Sequence, residues 1–499
     1  MNGAIRELLG KGSTDAAAIA APGARALSFA GLRAQIDETA AALHVAGIGR
    51  GSRVAIVLAN GPELATTFLS IASCASAAPL NPAYRAEEFE FYLSDLKARA
   101  LIVEAGAESP AIAVARKLDV PVIRLHPTRE KGAGSFTLDI PDLGQRDDDA
   151  HGEALVLHTS GTTSRPKIVP LSEANIAASA RNIAATLELS DSDRGLVIMP
   201  LFHIHGLMAG ITAPLAAGGS VFCTPGFNAL KFFSWMEEAQ PSWYTAVPTM
   251  HQAILSRAHQ HKALIAENPL RFIRSSSASL PPPVLSALEE TFGAPVVEAY
   301  GMTEACHQIS SNPLPPGKRK TGTVGPAAGP DIRIMDRDGN LLRPGVTGEI
   351  VIRGENVTRG YDANPEANAA AFHDGWLRTG DQGVMGEDGY VTITGRLKEI
   401  INRGGEKISP REVDEVLMDH PAVMQAVTFA IPHDKLGEDV GAAVVLHDGT
   451  ALSERELRDF AALHLADFKV PRRILFLPEI PKGATGKLQR IGLAQKLGL

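Results

Sequence analysis

Short apolar runs alternate with amphipathic stretches through the first 150 residues. Arg53–Leu58, Ala100–Val103 and Val120–Leu125 are brief and apolar, the pattern of strands buried on both faces. Between them lie Ala-rich segments, Gly31–Val45 and Glu87–Lys97, whose apolar positions recur at helical spacing. Such alternation predicts a mostly parallel sheet with helices on both sides. The same rhythm continues in Leu196–Met199, Ser220–Cys223, Trp243–Ala246 and Phe272–Ser275, each a strand followed by a helical segment. Pro281-Pro282-Pro283 opens one of these helices, because proline suits a first helical turn. A further strand at Pro295–Glu298 runs out into Tyr300-Gly301-Met302-Thr303-Glu304.

From about Thr323 the texture changes. Apolar runs shorten, and turn pairs crowd together at Asp338-Gly339, Pro344-Gly345, Asp374-Gly375 and Asp388-Gly389. That pattern predicts a small antiparallel β unit over about 323–395. After Gly395-Arg396-Leu397-Lys398 it changes again. A helix at Pro410–Asp419, strands at Ala426–Ala430 and Ala442–Leu446, a helix at Glu454–Leu465 and a strand at Arg473–Leu477 predict a compact α+β domain. The expected fold class is therefore α/β. A large N-terminal domain, 1–397, carries the β-rich unit, and a small C-terminal domain spans 398–499.

Length and composition narrow the class. At 499 residues the chain exceeds one core. A net charge of −8 leaves no basic footprint for nucleic acid or an anionic membrane. Cys74, Cys223 and Cys306 are scattered, which argues against a disulfide framework or a C-x-x-C metal pair and for a reducing cytoplasm. Arg6, Glu7, Lys11 and Asp15 interrupt any signal-peptide core. The charge-free stretch Gly195–Leu230 is broken by Pro200, Pro214, Pro225, His203 and His205, so it reads as buried strand, helix and strand, not a membrane span.

Chemistry concentrates in a few loops. Directly after the apolar run Ala154–Leu157 comes His158-Thr159-Ser160-Gly161-Thr162-Thr163-Ser164-Arg165-Pro166-Lys167. Hydroxyls, turn amides, a glycine and two cations suit a polyphosphate. The Walker spacing is absent, and this loop alone also fits a plain surface turn. Tyr300–Glu304 stands at a strand end, where open α/β sheets bind ligands. Its carboxylate beside a hydroxyl suits Mg²⁺, which takes few protein oxygens plus phosphates. Thr379-Gly380-Asp381 is expected in a β-turn, with an acid able to accept ribose hydroxyls. Gly395-Arg396 offers a cation after a strand, and Pro481-Lys482-Gly483-Ala484-Thr485-Gly486-Lys487 is a glycine-flanked lysine loop. Each is by itself readable as a solvated loop, but their order together is not.

These segments resemble the successive core motifs of the adenylate-forming superfamily of acyl-CoA synthetases, adenylation domains and luciferases. The resemblance covers essentially the whole chain through Thr159–Lys167, Pro200–Gly206 (PLFHIHG), Tyr300–Glu304, Thr379–Asp381, Gly395–Pro410 and Pro481–Lys487. It implies ATP, Mg²⁺ and coenzyme A as reactants and cofactor. It also implies that Thr159, Ser160, Gly161, Thr162, Thr163 and Lys167 hold the β- and γ-phosphates. Ser277, Ala278, Ser279, Glu298, Ala299 and Tyr300 would line the adenine, with Asp381 and Arg396 at the ribose. Thr303 would touch the α-phosphate, Glu304 would bind the metal and Lys487 would be the catalytic lysine. Lys398 would be the hinge, and Gly404-Gly405 would line the pantetheine tunnel. Two positions depart from the family's pattern: Ser164 and Ile168 stand where glycine is usual. A β-branched isoleucine resists positive φ, which puts the loop's shape in question. The setting of Lys487 also resembles a target of regulatory lysine acetylation, which would remove its charge.

Within the superfamily the sequence is most similar to oxalate–CoA ligases, through His158–Pro166, Pro200–Leu207, Arg274–Leu280 (RSSSASL) and Met302–Pro315. Oxalate would present a second carboxylate to His307, with Ser277 or Ser279 donating and His203 in the segment that gates the pocket. His307 is equally readable as a core histidine. Other readings are a CoA ligase for malonate, another short acid or an aromatic acid, and a stand-alone adenylation enzyme that loads a separate carrier protein. A luciferase-like oxygenase finds no positive sign in the residues. A non-catalytic nucleotide-binding protein is disfavoured because Glu304 and Lys487 are both present.

Overall fold

The computed structural model describes residues 4–143, 152–159, 166–481 and 488–499. Two large sheets dominate the N-terminal part. The first has seven strands. Ala100–Glu104, Arg53–Val57, Ser76–Pro79 and Glu153–His158 run parallel at its centre, and Ile168–Ser172 closes one edge antiparallel to Glu153–His158. The second has eight strands. Its centre is the parallel set Ser220–Cys223, Arg194–Val197, Trp243–Ala246, Phe272–Ser276 and Val296–Met302. The central strands are buried along all or nearly all of their length, with half-buried residues only at their ends, which is why they read as continuous apolar runs rather than alternating ones.

The helix Pro62–Cys74 lies between the two sheets and packs on strands of both. It is buried nearly all round, with Leu64, Phe68, Leu69 and Ile71 in a core shared with Val197 and Val221. One pairing was not anticipated. The hairpin Ala17–Ala21/Ala24–Ser28 adds to the second sheet beside Ser220–Cys223, parallel to it. Its first strand, AAIAA, has weak strand propensity, and its partner lies some two hundred positions away in sequence.

The expected antiparallel unit is present as Asp331–Met335, Gly348–Arg353, Phe372–His373, Trp376–Met385 and Val391–Arg396. The C-terminal sheet joins the hairpin Ile401–Arg403/Glu406–Ile408 to Gly437–Leu446, Val423–His433 and the parallel strand Arg473–Phe476. Gly404 and Gly405, with φ of 59° and 105°, make the two-residue turn of that hairpin, a conformation that favours glycine. Cross-domain hydrogen bonds seat this unit on the large one. Gln425 Nε2 donates to Gln252 Oε1 at 2.7 Å, and Arg411 Nη1 donates to the Ile393 carbonyl at 2.7 Å.

Two expectations need correction. Thr379-Gly380-Asp381 is not a β-turn: it lies inside the strand Trp376–Met385, where Asp381 pairs with Arg396. Gly380 has φ of 76° beside a register irregularity in that strand, so the glycine marks a bulge and not a reversal. Nor does Ile168 bear on the shape of the Thr159–Lys167 loop. It opens the strand Ile168–Ser172, paired with His158 and buried, and a β-branched residue suits that place.

Candidate active site

The carboxyl ends of the parallel strands in the second sheet converge on a buried polar cluster. Strand Trp243–Ala246 supplies Thr245, and strand Phe272–Ser276 supplies Arg274 and leads into Ser277. The hairpin Val296–Met302/His307–Ser311 supplies His307 and Gln308. At its inner corner a Cβ on Gly301 would overlap the His307 carbonyl, so only glycine lets the two strands approach. The PLFHIHG segment supplies His205 just before a π-helical stretch, Gly206–Thr212.

Within this cluster His205 Nδ1 lies 3.0 Å from Ser277 Oγ, and His205 Nε2 lies 2.7 Å from Thr245 Oγ1 and 3.3 Å from Arg274 Nη1. A guanidinium can only donate. Nε2 therefore accepts, and the ring proton sits on Nδ1, directed at Ser277. The His307 ring stacks on His205 with centroids 4.7 Å apart and planes 18° from parallel. Arg274 Nη2 donates to Gln308 Oε1 at 3.2 Å. Arg274 has no exposed surface, and none of its hydrogen-bond partners among the described residues is a carboxylate. Burial pulls its pKa down to about 9, still charged at neutral pH. Ser277, Cys306 and His307 hold φ of 73°, 48° and 90°, left-handed values that cost non-glycine residues of order 1–3 kcal/mol each.

A second group lies around Glu304. The two ends of the Thr159–Lys167 stretch meet, where Thr159 N–H donates to the Lys167 carbonyl at 2.9 Å and Lys167 N–H to Thr159 Oγ1 at 3.1 Å. Ser160, Gly161, Thr162, Thr163 and Ser164 lie outside the described residues, as does Lys487. Glu304 is buried in the short helical turn Thr303–Ala305, and Tyr361 donates its hydroxyl to Glu304 Oε1 at 2.8 Å. Burial raises the Glu304 pKa, while its own backbone N–H and Tyr361 oppose the shift. Among the described residues no group of three or more metal-ligating side chains exists. One buried hard carboxylate, sharing Tyr361 with the Lys167 ammonium, fits a Mg²⁺ ion that would take the rest of its shell from phosphates and water.

A third group contains Asp381. Its Oδ1 accepts from Arg396 Nε at 2.8 Å and its Oδ2 from the Tyr300 hydroxyl at 2.5 Å. The carboxylate raises the pKa of Arg396, and burial with the same carboxylate raises that of Tyr300. Tyr300, Asp381 and Arg396 thus lie together, bonded to one another. Ala278 and Ser279 are exposed at the strand end beyond Ser277, whereas Ala299 is buried within the next strand. The Glu298 side chain borders a separate cavity of about 110 Å³ with Asn312, Arg319 and Lys320. Burial pushes its pKa up to about 7, against the pull of Arg411. Lys398 occupies the turn after the strand Val391–Arg396, and Gly404 N–H bonds the Leu436 carbonyl inside the small domain. His203 is half-buried, its Nδ1 accepting from the His205 N–H at 3.2 Å.

The residue-by-residue reading of the sequence passed over His205, Arg274, Gln308 and Tyr361. An arginine within the otherwise uncharged strand FIRSS is a signal that could have been read. Tyr361 carries no local one.

Two family profiles match the chain. "AMP-binding enzyme" matches residues 9–362, and "AMP-binding enzyme C-terminal domain" matches residues 412–487. An oxalate–CoA ligase of Arabidopsis thaliana is 46% identical, over 98% of this chain and 97% of its own length. An oxalate–CoA ligase of Saccharomyces cerevisiae is 41% identical, over 89% of this chain and 87% of its own. Among solved structures, ATP-bound MatB from Rhodopseudomonas palustris superimposes with a TM-score of 0.87 at 29% identity, covering 98% of this chain and 97% of that one.

Proposed function

Because this chain belongs to the AMP-binding enzyme family, we propose that it is an ATP-dependent acid–CoA ligase whose acid is oxalate. The observation that carries the choice of a doubly charged acid is Arg274, and the two oxalate-acting relatives favour oxalate among such acids. A fully buried guanidinium with no carboxylate partner among the described residues is costly. An acid that still carries a negative charge at its far end offsets that cost, and a monocarboxylate with an alkyl chain does not. His205 links Arg274 to Ser277, and His307, stacked on His205, is the ring assigned to the acid's far carboxylate. The two oxalate-acting relatives agree with this reading.

The chemistry follows from charge. A carboxylate is ionised at neutral pH and needs no general base. One oxygen of the acid attacks the α-phosphorus of ATP, and the bond to the bridging oxygen of pyrophosphate breaks. Thr159–Thr163 and Lys167 hold the departing pyrophosphate, Thr303 the α-phosphate, and Asp381 with Arg396 the ribose. Glu304 would hold Mg²⁺, which supplies positive charge against the phosphates. Lys487 stabilises the charge that builds at the α-phosphoryl group. The thiol of CoA then attacks the acyl carbon and AMP leaves, with the thiol proton passing to solvent. Lys398 is the hinge for the change of docking between these steps, Gly404-Gly405 flank the thiol's approach, and His203 gates the acid pocket.

The test is pyrophosphate release over a panel of acids, with and without CoA. CoA-dependent turnover with oxalate, and little with acetate, malonate or hexanoate, is expected. Strong turnover with a monocarboxylate alone overturns the reading.

A further inference from the structure

The segment 355–362 links the β-rich unit to the phosphate loop, and none of the sequence motifs includes it. Its backbone is tied on several sides. Asn175 Nδ2 donates to the carbonyls of Glu355 and Val357 at 2.7 and 3.1 Å. Asn356 Nδ2 donates to those of Ala305 and Gln308 at 2.7 and 2.9 Å. Thr358 N–H reaches the Glu304 carbonyl at 2.7 Å and its hydroxyl the Pro170 carbonyl at 2.8 Å. Asp362 N–H reaches the Ile168 carbonyl at 3.1 Å, and its carboxylate pairs with buried Arg53 at 2.8 Å. Asn368 clamps the residue between them. Tyr361 N–H donates to Asn368 Oδ1 at 2.7 Å, and Asn368 Nδ2 donates to the Tyr361 carbonyl at 2.9 Å.

So held, Tyr361 touches two parts of the site at once. Its hydroxyl donates to Glu304 Oε1 at 2.8 Å, and Lys167 Nζ stands 4.4 Å from its ring centroid. The first contact orients a carboxylate with one charge-assisted hydrogen bond. The second seats an ammonium on the face of a phenol ring. The elements that carry the two groups already touch, and Thr358 bonds the backbone of both, so Tyr361 adds to that frame a contact between the two functional side chains themselves. Lys167 leaves the phosphate loop at the edge of the first sheet, and Glu304 follows a strand of the second.

We propose that Tyr361 is a positioning residue for nucleotide activation. Its ring seats Lys167 and its hydroxyl aims Glu304, so that the cation and the metal-binding carboxylate meet ATP at a set separation. Tyr361 touches neither acid nor nucleotide in this role. The inference rests on the reading of Glu304 and Lys167 given above.

Because the two contacts use different parts of the side chain, they separate by mutation. Tyr361→Phe keeps the ring and removes the hydroxyl. Tyr361→Leu removes both. Two measurements on the full chain distinguish them: ATP binding by calorimetry in EDTA, and acid-dependent pyrophosphate release as a function of Mg²⁺. Tyr361→Phe is expected to bind metal-free ATP as wild type does, to lose about tenfold in kcat and to need several-fold more Mg²⁺ for half-saturation. Tyr361→Leu is expected to lose several-fold in metal-free ATP affinity as well. A Tyr361→Phe enzyme with wild-type kcat and Mg²⁺ dependence overturns the proposal. So does an equal loss by both variants in every parameter, including the KM for the acid, which is the mark of damaged packing. A wild-type chain that neither binds ATP nor releases pyrophosphate with any acid overturns the reading of the site together with the inference.

Discussion

At Arg274 a full charge is buried among neutral partners, and the polar cluster of His205, Thr245 and Gln308 is bonded to it. The sequence makes this arginine visible as a lone charge in an apolar strand, but not its depth or its partners. His307 was readable either as a ligand of the acid or as a core residue. Its stacking on His205, itself bonded to Ser277 and Thr245, puts it in a polar cluster. A contrasting histidine is His251, which is fully buried against the Tyr244 hydroxyl at 3.1 Å. Burial lowers its pKa from 6.5 to about 3. The folded chain thus keeps this ring neutral where the unfolded chain protonates it. Its contribution to stability is complete above pH 6.5 and is lost as the pH falls toward 3. In urea unfolding of the large domain, His251→Gln is expected to flatten the pH dependence by up to about 1.4 kcal/mol per pH unit between these limits. An unchanged slope would return the effect to other groups.

Among the elements, a buried ion-pair group ties the first sheet to the segment 355–362. Arg53, at the start of its strand, pairs with Glu153 at 2.8 Å and with Asp362 at 2.8 Å, and both Arg53 and Glu153 are almost wholly buried. It ties the strand leading to the phosphate loop to the segment that carries Tyr361. Arg53→Met leaves two carboxylates without their cation and is expected to cost about 3–5 kcal/mol in denaturant unfolding. The double change Arg53→Met with Glu153→Met should recover part of that loss, since a neutral pair needs no counter-charge. A double variant no more stable than the single one would show that packing, not charge, sets the effect. At this scale the alternation of apolar runs was legible because buried parallel strands have no polar face to show. The reading failed where glycine served a bulge, at Gly380. It failed again where an Ala-rich strand, Ala17–Ala21, owes its conformation to a distant partner.

For the whole molecule, the two units bear different parts of the chemistry. The large one gathers Lys167, Glu304, Asp381 and the buried polar cluster around Arg274. The small one carries the glycine hairpin at Gly404-Gly405 and docks through Gln425 on Gln252 and Arg411 on the Ile393 carbonyl. Under the proposed reaction, a lysine on the small domain is needed only for the first half. Lys487→Ala is therefore expected to lower acid-dependent pyrophosphate release by about two orders of magnitude or more. It should largely spare thioester formation from supplied acyl-adenylate. Equal loss of both halves would count against this division of labour. No helix among the described residues is long and apolar enough to cross a membrane, in keeping with the interrupted Gly195–Leu230 stretch.

Local order alone determined much here. The strand–helix alternation, the antiparallel unit near Thr323 and the chain of loops from Thr159 to Lys487 all follow from patterns within a few residues of each other, because periodicity and turn chemistry act over that range. Tertiary structure decided what those loops surround. The pairing of Asp381 with Tyr300, the stack of His205 on His307 above Arg274, and Tyr361 bridging Lys167 to Glu304 join residues tens to hundreds of positions apart. No spacing along a chain encodes such contacts. They arise only when the sheets, the antiparallel unit and the segments between strands pack together and bring such residues within hydrogen-bonding reach.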